Sequence, residues 1–161
     1  MANDERHRCS NCSKSAVNRR ELLFLAGAST GLAVLAAAVP GCANPTGTPP
    51  TGQVGAGNIS ALAVGALLVM TNFAVGRDAN GVYAMSAVCT HAGCLLDDGA
   101  STIAAGLGCP CHGSTFDGNG SVTAGPARSP LEHYAVSIAA DGSITVDGSQ
   151  TVSASTRTAA G

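Results

Sequence analysis

The chain has 161 residues and is 45% hydrophobic, yet it holds no Trp, two Tyr and three Phe, so it can build one small domain with a thin core. Residues 1–42 carry Arg6, Arg8, Lys14, Arg19 and Arg20 against three acids, whereas 43–161 carry three Arg against seven acids, for a formal net charge of −2. That acidic body argues against nucleic-acid binding and suits a basic partner surface such as that of a cytochrome, while seven Cys offer the cross-links that a thin core lacks.

Residues 1–20 are polar and lead into Asn18-Arg19-Arg20-Glu21-Leu22-Leu23, after which 22–39 carry no charge. A basic region, an apolar region and then small residues is the order of an export signal. The paired arginines followed by two leucines resemble a twin-arginine signal, a route that carries folded, cofactor-loaded proteins. Three fates are open for the apolar stretch and its end. Val39-Pro40-Gly41-Cys42 resembles a lipoprotein cleavage box with Cys42 as the lipidated residue, although Pro40 departs from the small residue usual there. The apolar stretch would otherwise be kept as a membrane helix, slightly short of the ~20 residues that span a bilayer, or be cleaved near Ala36-Ala37-Ala38. Cys9 and Cys12 form a C-x-x-C that is read as part of the leader, with a redox or metal role as the alternative.

Residues 43–57 are rich in Pro, Gly and Thr and are expected to form a linker, with a flexible reach of about 20 Å. From 58 to 148 short apolar runs alternate with turn residues, the pattern of an all-β domain, a small antiparallel barrel or sandwich. Strands are expected over 61–70, 72–77, 82–88, 102–107, 133–139 and 143–146. Asp78-Ala79-Asn80-Gly81 and Asp141-Gly142 are the hairpin turns. The last stretch, 149–161, is expected to be a frayed polar tail.

Two segments concentrate the chemistry: Cys89-Thr90-His91-Ala92-Gly93-Cys94 and Cys109-Pro110-Cys111-His112-Gly113-Ser114-Thr115-Phe116. Each offers a thiolate and an imidazole from a Gly-containing loop that follows a strand. Two such loops facing each other would bring four ligands to one point. Two Cys and two His also make a structural zinc site, but zinc spacing groups like ligands together, and here each loop mixes them.

These segments resemble the two cluster-binding boxes of the Rieske family, C-x-H-x-G-C and C-P-C-H-G-S, and the resemblance covers roughly residues 58–148. It implies a [2Fe–2S] cluster with Cys89 and Cys109 on the inner iron and His91 and His112 on the outer, more exposed one. Two ferric ions, two sulfides and two thiolates sum formally to zero, whereas four thiolates would leave a dianion that accepts an electron less readily. The resemblance further implies a Cys94–Cys111 disulfide, the mark of the respiratory-type branch and of an oxidising compartment. It implies a Ser114 hydroxyl bonded to a cluster sulfide and a covering loop at Gly125-Pro126-Ala127. Phe116 stands where many quinol-oxidising members carry a tyrosine that bonds a ligand sulfur, so a lower potential is expected.

The function expected on this resemblance is electron transfer, with no catalytic residues on the chain itself. Once His91 and His112 serve the cluster, only His7 and His133 remain, too few for the mononuclear iron site of an oxygenase. The expected place is the periplasmic face, anchored by lipid or by the N-terminal helix. The expected setting is the iron–sulfur subunit of a quinol-oxidising cytochrome bc-type complex. The alternatives are the small subunit of a molybdenum enzyme such as arsenite oxidase, or a standalone exported carrier. Partners would be a cytochrome b or c or a molybdenum subunit, with quinol as donor in the first setting.

Overall fold

The computed structural model describes residues 46–96 and 99–160. The expected signal or anchor, with Cys9, Cys12 and Cys42, lies outside them. Among the described residues no helix is long and apolar enough to cross a membrane.

The described residues are all-β, as expected. A seven-stranded antiparallel sheet runs in the order β1 (Gln53–Asn58), β10 (Ser143–Val152), β9 (His133–Ile138), β4 (Gly81–Ser86), β3 (Phe73–Asp78), β2 (Ala66–Val69) and β5 (Gly99–Thr102). A smaller sheet is built from β6 (Leu107–Gly108), β7 (Thr115–Phe116) and β8 (Val122–Ala124).

Side chains alternate across a strand, and here both faces are used. On one face of β3 and β4, Phe73, Val75, Val82 and Ala84 pack with Tyr134, Ile144, Val146, Ala56 and Leu62. On the other face, Ala74, Tyr83 and Met85 pack with Leu67, Leu107, Phe116, Leu131, Cys89 and Cys109. β4 is therefore buried along its whole length. Two small cores sharing central strands bury enough surface with few aromatics, and the second of them carries the two cysteines of interest.

The expected strand over 61–70 is mostly not one. Asn58 caps a short 3-10 turn, Ile59–Ala61, by accepting from the Ser60 N–H at 3.0 Å, so pairing begins only at Ala66. The expected strand over 102–107 is a reversal: the Thr102 carbonyl accepts from the N–H groups of Ala105 (3.0 Å) and Gly106 (3.1 Å), and β5 ends there. The hairpin at Asp78–Gly81 forms as expected, with Asp78 Oδ1 accepting from the N–H groups of Asn80 (2.8 Å) and Gly81 (3.1 Å).

The segments flanking the domain differ most from expectation. The end of the expected linker 43–57 belongs to the strand Gln53–Asn58, paired with β10, and Thr46 bridges to Cys94. The tail is not frayed: β10 continues to Val152, and Thr158 exchanges two 2.8 Å backbone hydrogen bonds with Val82. Gly81 makes this approach feasible, because a Cβ there would sit 2.3 Å from the Thr158 carbonyl oxygen.

Arg157 pins the tail. Its Nε meets Asp78 Oδ2 at 2.6 Å, its other nitrogens bond the carbonyls of Ala154 and Thr156 and the Asn119 side chain, and its guanidinium lies 4.0 Å over the Tyr83 ring. Burial pushes the Tyr83 hydroxyl up to about 12. At Asp78 burial raises the pKa, but the Arg157 guanidinium and the Asn80 and Gly81 N–H groups outweigh it, so the carboxyl lies below its ordinary 3.8. Its contribution is therefore complete above that ordinary value and lost as pH falls through the depressed one. Arg157→Ala should cost about 2 kcal/mol through the lost stacking and hydrogen bonds. Thermal unfolding checks this, and the deficit should shrink below about pH 3.8, where the wild type loses the same pair.

Candidate metal centre

The two motif segments fold into the same loop twice. In the first, the Cys89 N–H donates to Cys94 O (2.8 Å) and the Gly93 N–H to Cys89 O (2.9 Å). In the second, the Cys109 N–H donates to Ser114 O (2.8 Å) and the Gly113 N–H to Cys109 O (3.0 Å). Both glycines have a left-handed φ, +75° and +71°. The first loop follows β4, and the second joins β6 to β7. In this frame Cys89 matches Cys109, and Cys94 matches Ser114. The histidines differ by one step: His91 matches Cys111, and His112 comes one residue later.

Burial separates the donors by type. Cys89 and Cys109 are free thiols at the base, 2% and 4% exposed. Burial first, and then the Cys89 thiol beside it, pushes the Cys109 thiol up; the backbone N–H groups of Cys111 and His112 pull the other way. His91 and His112 are exposed at the rim, with ring centroids 4.8 Å apart and planes at 85°. Neither ring has a hydrogen-bond partner among the described residues.

Cys94 and Cys111 form the expected disulfide, with a Cα–Cα distance of 6.5 Å, and it joins the two loops. Their sulfurs lie near a His112 nitrogen, but a disulfide has no thiolate to offer a metal. The donors that remain at this point are two buried thiols and two exposed imidazoles. N–H groups directed at a ligand sulfur stabilise its thiolate. This donor chemistry fits a thiolate- and imidazole-bound iron–sulfur group.

Ser114 is fully buried, and its Oγ accepts from the Ala127 N–H at 3.1 Å, which leaves its own proton free to donate inward. Phe116 is buried in the same core as Cys89 and Cys109. Gly125 has φ +90°, and a Cβ there would lie 2.5 Å from Ser114 Cα and 2.8 Å from the Gly113 oxygen. Gly125→Ala should push the Pro126 loop off the second motif loop and cost about 1–3 kcal/mol. A melting temperature equal to wild type would show that the loop yields freely.

Sequence reasoning missed Thr90, whose hydroxyl donates to Ser129 O at 2.6 Å. With the Ala127–Ser114 bond, this ties the 125–129 segment to both motif loops. No spacing rule signals such a contact, because its partners lie in different loops. His133, to which the sequence assigns no ligand role, is buried on β9 with its ring stacked 6.0 Å from that of Tyr83.

The family model for the Rieske [2Fe-2S] domain matches residues 51–135. The cytochrome b6-f complex iron-sulfur subunit of Chlorobaculum tepidum is 46% identical over 65 residues, 39% of this chain and 33% of that protein. The chain thus spans about a third of the length of the curated relatives it matches. Among solved structures, the cyanobacterial plasma membrane Rieske protein of Synechocystis PCC 6803 has a TM-score of 0.48 at 27% identity, over 58% of this chain and 98% of that one. A naphthalene 1,2-dioxygenase with bound phenanthrene has a TM-score of 0.50 at 20% identity, over 60% of this chain and 26% of that one, a likeness of fold.

Proposed function

The chain belongs to the Rieske [2Fe-2S] domain family, and on that premise we propose that it is the electron-transfer subunit of a quinol-oxidising cytochrome bc-type complex. Cys89 and Cys109 hold the inner iron, and His91 and His112 hold the outer one. The observation that carries this reading is the split in burial, with both thiols beneath the surface and both imidazoles at it.

Bound there, the [2Fe–2S] cluster supplies a one-electron couple, typically about −150 to +300 mV for mixed Cys and His ligation. The protein does the rest. The two loops, joined by Cys94–Cys111, keep the four donors in place. Leu107, Phe116 and Leu131 exclude water from the cysteine side. The ring nitrogens that His91 and His112 do not use for ligation are open to a hydrogen-bonding donor such as a quinol hydroxyl, and they hold or release a proton there. Ser114 offers its hydroxyl proton inward.

Export to the periplasmic face, with Cys42 lipidated or the apolar stretch kept as an anchor, belongs to the same reading. The relatives named as subunits of cytochrome b6-f complexes support the setting. Affinity purification from detergent-solubilised membranes should bring down a diheme cytochrome b. A molybdopterin subunit in its place would favour the small subunit of a molybdenum enzyme, a reading that Phe116 suits because it has no hydroxyl to raise the potential.

Phe116→Tyr adds a donor within the core that holds both cysteines. It should raise the midpoint potential in a spectroelectrochemical titration, because a hydrogen bond to a ligand sulfur stabilises the added negative charge. An unchanged potential would remove Phe116 as a tuning position.

A further inference from the structure

The described part of the molecule holds three arginines and no lysine, against an excess of acids. Two of the three are committed. Arg77 donates to the carbonyls of Ile59 (3.4 Å) and Leu62 (3.0 Å), and Arg157 is fixed on Asp78, Asn119 and Tyr83. Arg128 alone is exposed and, among the described residues, has neither an ion pair nor a hydrogen-bond partner, although Glu132 is exposed four residues on.

Its position is not arbitrary. Arg128 lines a cleft of about 370 Å³ with Thr90, His91, Pro126 and Ser129. The residue before it is fastened by the Ala127 N–H on Ser114, and the residue after it by the Ser129 carbonyl on Thr90. The backbone carrying the unpaired cation is therefore anchored on both sides, next to an exposed imidazole of the metal centre.

We propose that Arg128 is a docking residue: it makes the His91 edge locally positive on an acidic protein and receives a carboxylate from the surface of the redox partner. The inference rests on the electron-carrier reading of the metal centre and adds to it the sign of the partner's charge. Opposite charges steer encounter and raise association rates, and the effect fades once ionic strength shortens the screening length to about 10 Å at 0.1 M. An acidic body alone would select a basic partner, so the two expectations separate cleanly.

The test uses the reduced holoprotein and two small oxidants of opposite charge. One electron passes from the protein to hexacyanoferrate(III), giving hexacyanoferrate(II), or to the tris(phenanthroline)cobalt(III) cation, giving the cobalt(II) complex. At low ionic strength Arg128→Gln should slow the anionic oxidant about 3–10-fold and Arg128→Glu should slow it further, with the cationic oxidant changing in the opposite sense. Both differences should vanish in high salt.

Ala140→Glu serves as the control for net charge. It lies in the exposed turn between β9 and β10, at the end of the sheet away from the Met85–His133 pair that leads to the first motif loop. It should change either rate less than Arg128→Gln does. As a readout independent of electron transfer, redox-inert hexacyanochromate(III) should broaden the amide resonances of Arg128 and Ser129 in the wild type and not in Arg128→Glu.

Equal rates in wild type and Arg128→Gln, or an equal effect from Ala140→Glu, would overturn the docking role while leaving the carrier reading intact. A wild type that reduces neither oxidant would overturn the carrier reading and the docking role with it.

Discussion

Cys109→Ala is expected to give a colourless protein, with iron and inorganic sulfide falling from about two of each per chain to near zero. Cys109 sits at the base of the centre, 4% exposed, beside Cys89 and beneath the N–H groups of Cys111 and His112. Alanine removes the sulfur and leaves both donors facing an apolar methyl. No other free thiol is available among the described residues apart from Cys89, since Cys94 and Cys111 are paired. Substitution of a remote residue such as Ala140 should leave the colour unchanged. Elemental analysis and visible absorption decide the matter, and a Cys109→Ala protein with full iron content would show that Cys109 is not a ligand.

The double variant Cys94→Ser/Cys111→Ser should lose about 3 kcal/mol of stability. The bond joins residues 17 apart in sequence, and closing a loop of that order removes about this much chain entropy from the unfolded state. For a domain of this size the melting temperature should fall by roughly 10 °C. The loss bears directly on the site, because the bond links the two loops that carry all four proposed ligands. Thermal unfolding of wild type and variant, each with and without reductant, provides the measurement. Reductant should lower the wild type toward the variant and leave the variant unchanged. Equal melting temperatures would mean that the two loops are held together by the core alone.

The site was more legible in the sequence than the fold around it. Ligand chemistry demands particular residue types at fixed offsets, so both motif loops and their glycines left a readable pattern, and the pairing of Cys94 with Cys111 followed from the resemblance which that pattern carries. The Asp78–Gly81 hairpin was legible for a similar reason, since its turn residues make their own hydrogen bonds within four positions. Contacts between distant segments left no such trace. The Pro- and Gly-rich stretch before Asn58 reads as a linker, and only its pairing with Val146 and Asp147 makes it a strand. Arg157 reads as a tail residue until Asp78 and Tyr83 are brought beneath it by the fold.

The apolar runs at 61–70 and 102–107 misled for a different reason. Runs of small and branched residues are common to strands and to turns, and short runs do not distinguish them. What delays the first is the Asn58 side chain on Ser60, and what ends the second is the Thr102 carbonyl shared by Ala105 and Gly106. Arg128 reads as one more surface charge until its two neighbours are found fastened to the motif loops.

The claim on which the rest depends is that two thiolates and two imidazoles share one [2Fe–2S] cluster. Electron paramagnetic resonance of the dithionite-reduced protein tests it most directly. Mixed ligation predicts a rhombic signal whose mean g value lies below that of all-cysteine [2Fe–2S] proteins. A mean g value equal to that of all-cysteine clusters, or a silent sample containing zinc in place of iron, would contradict it.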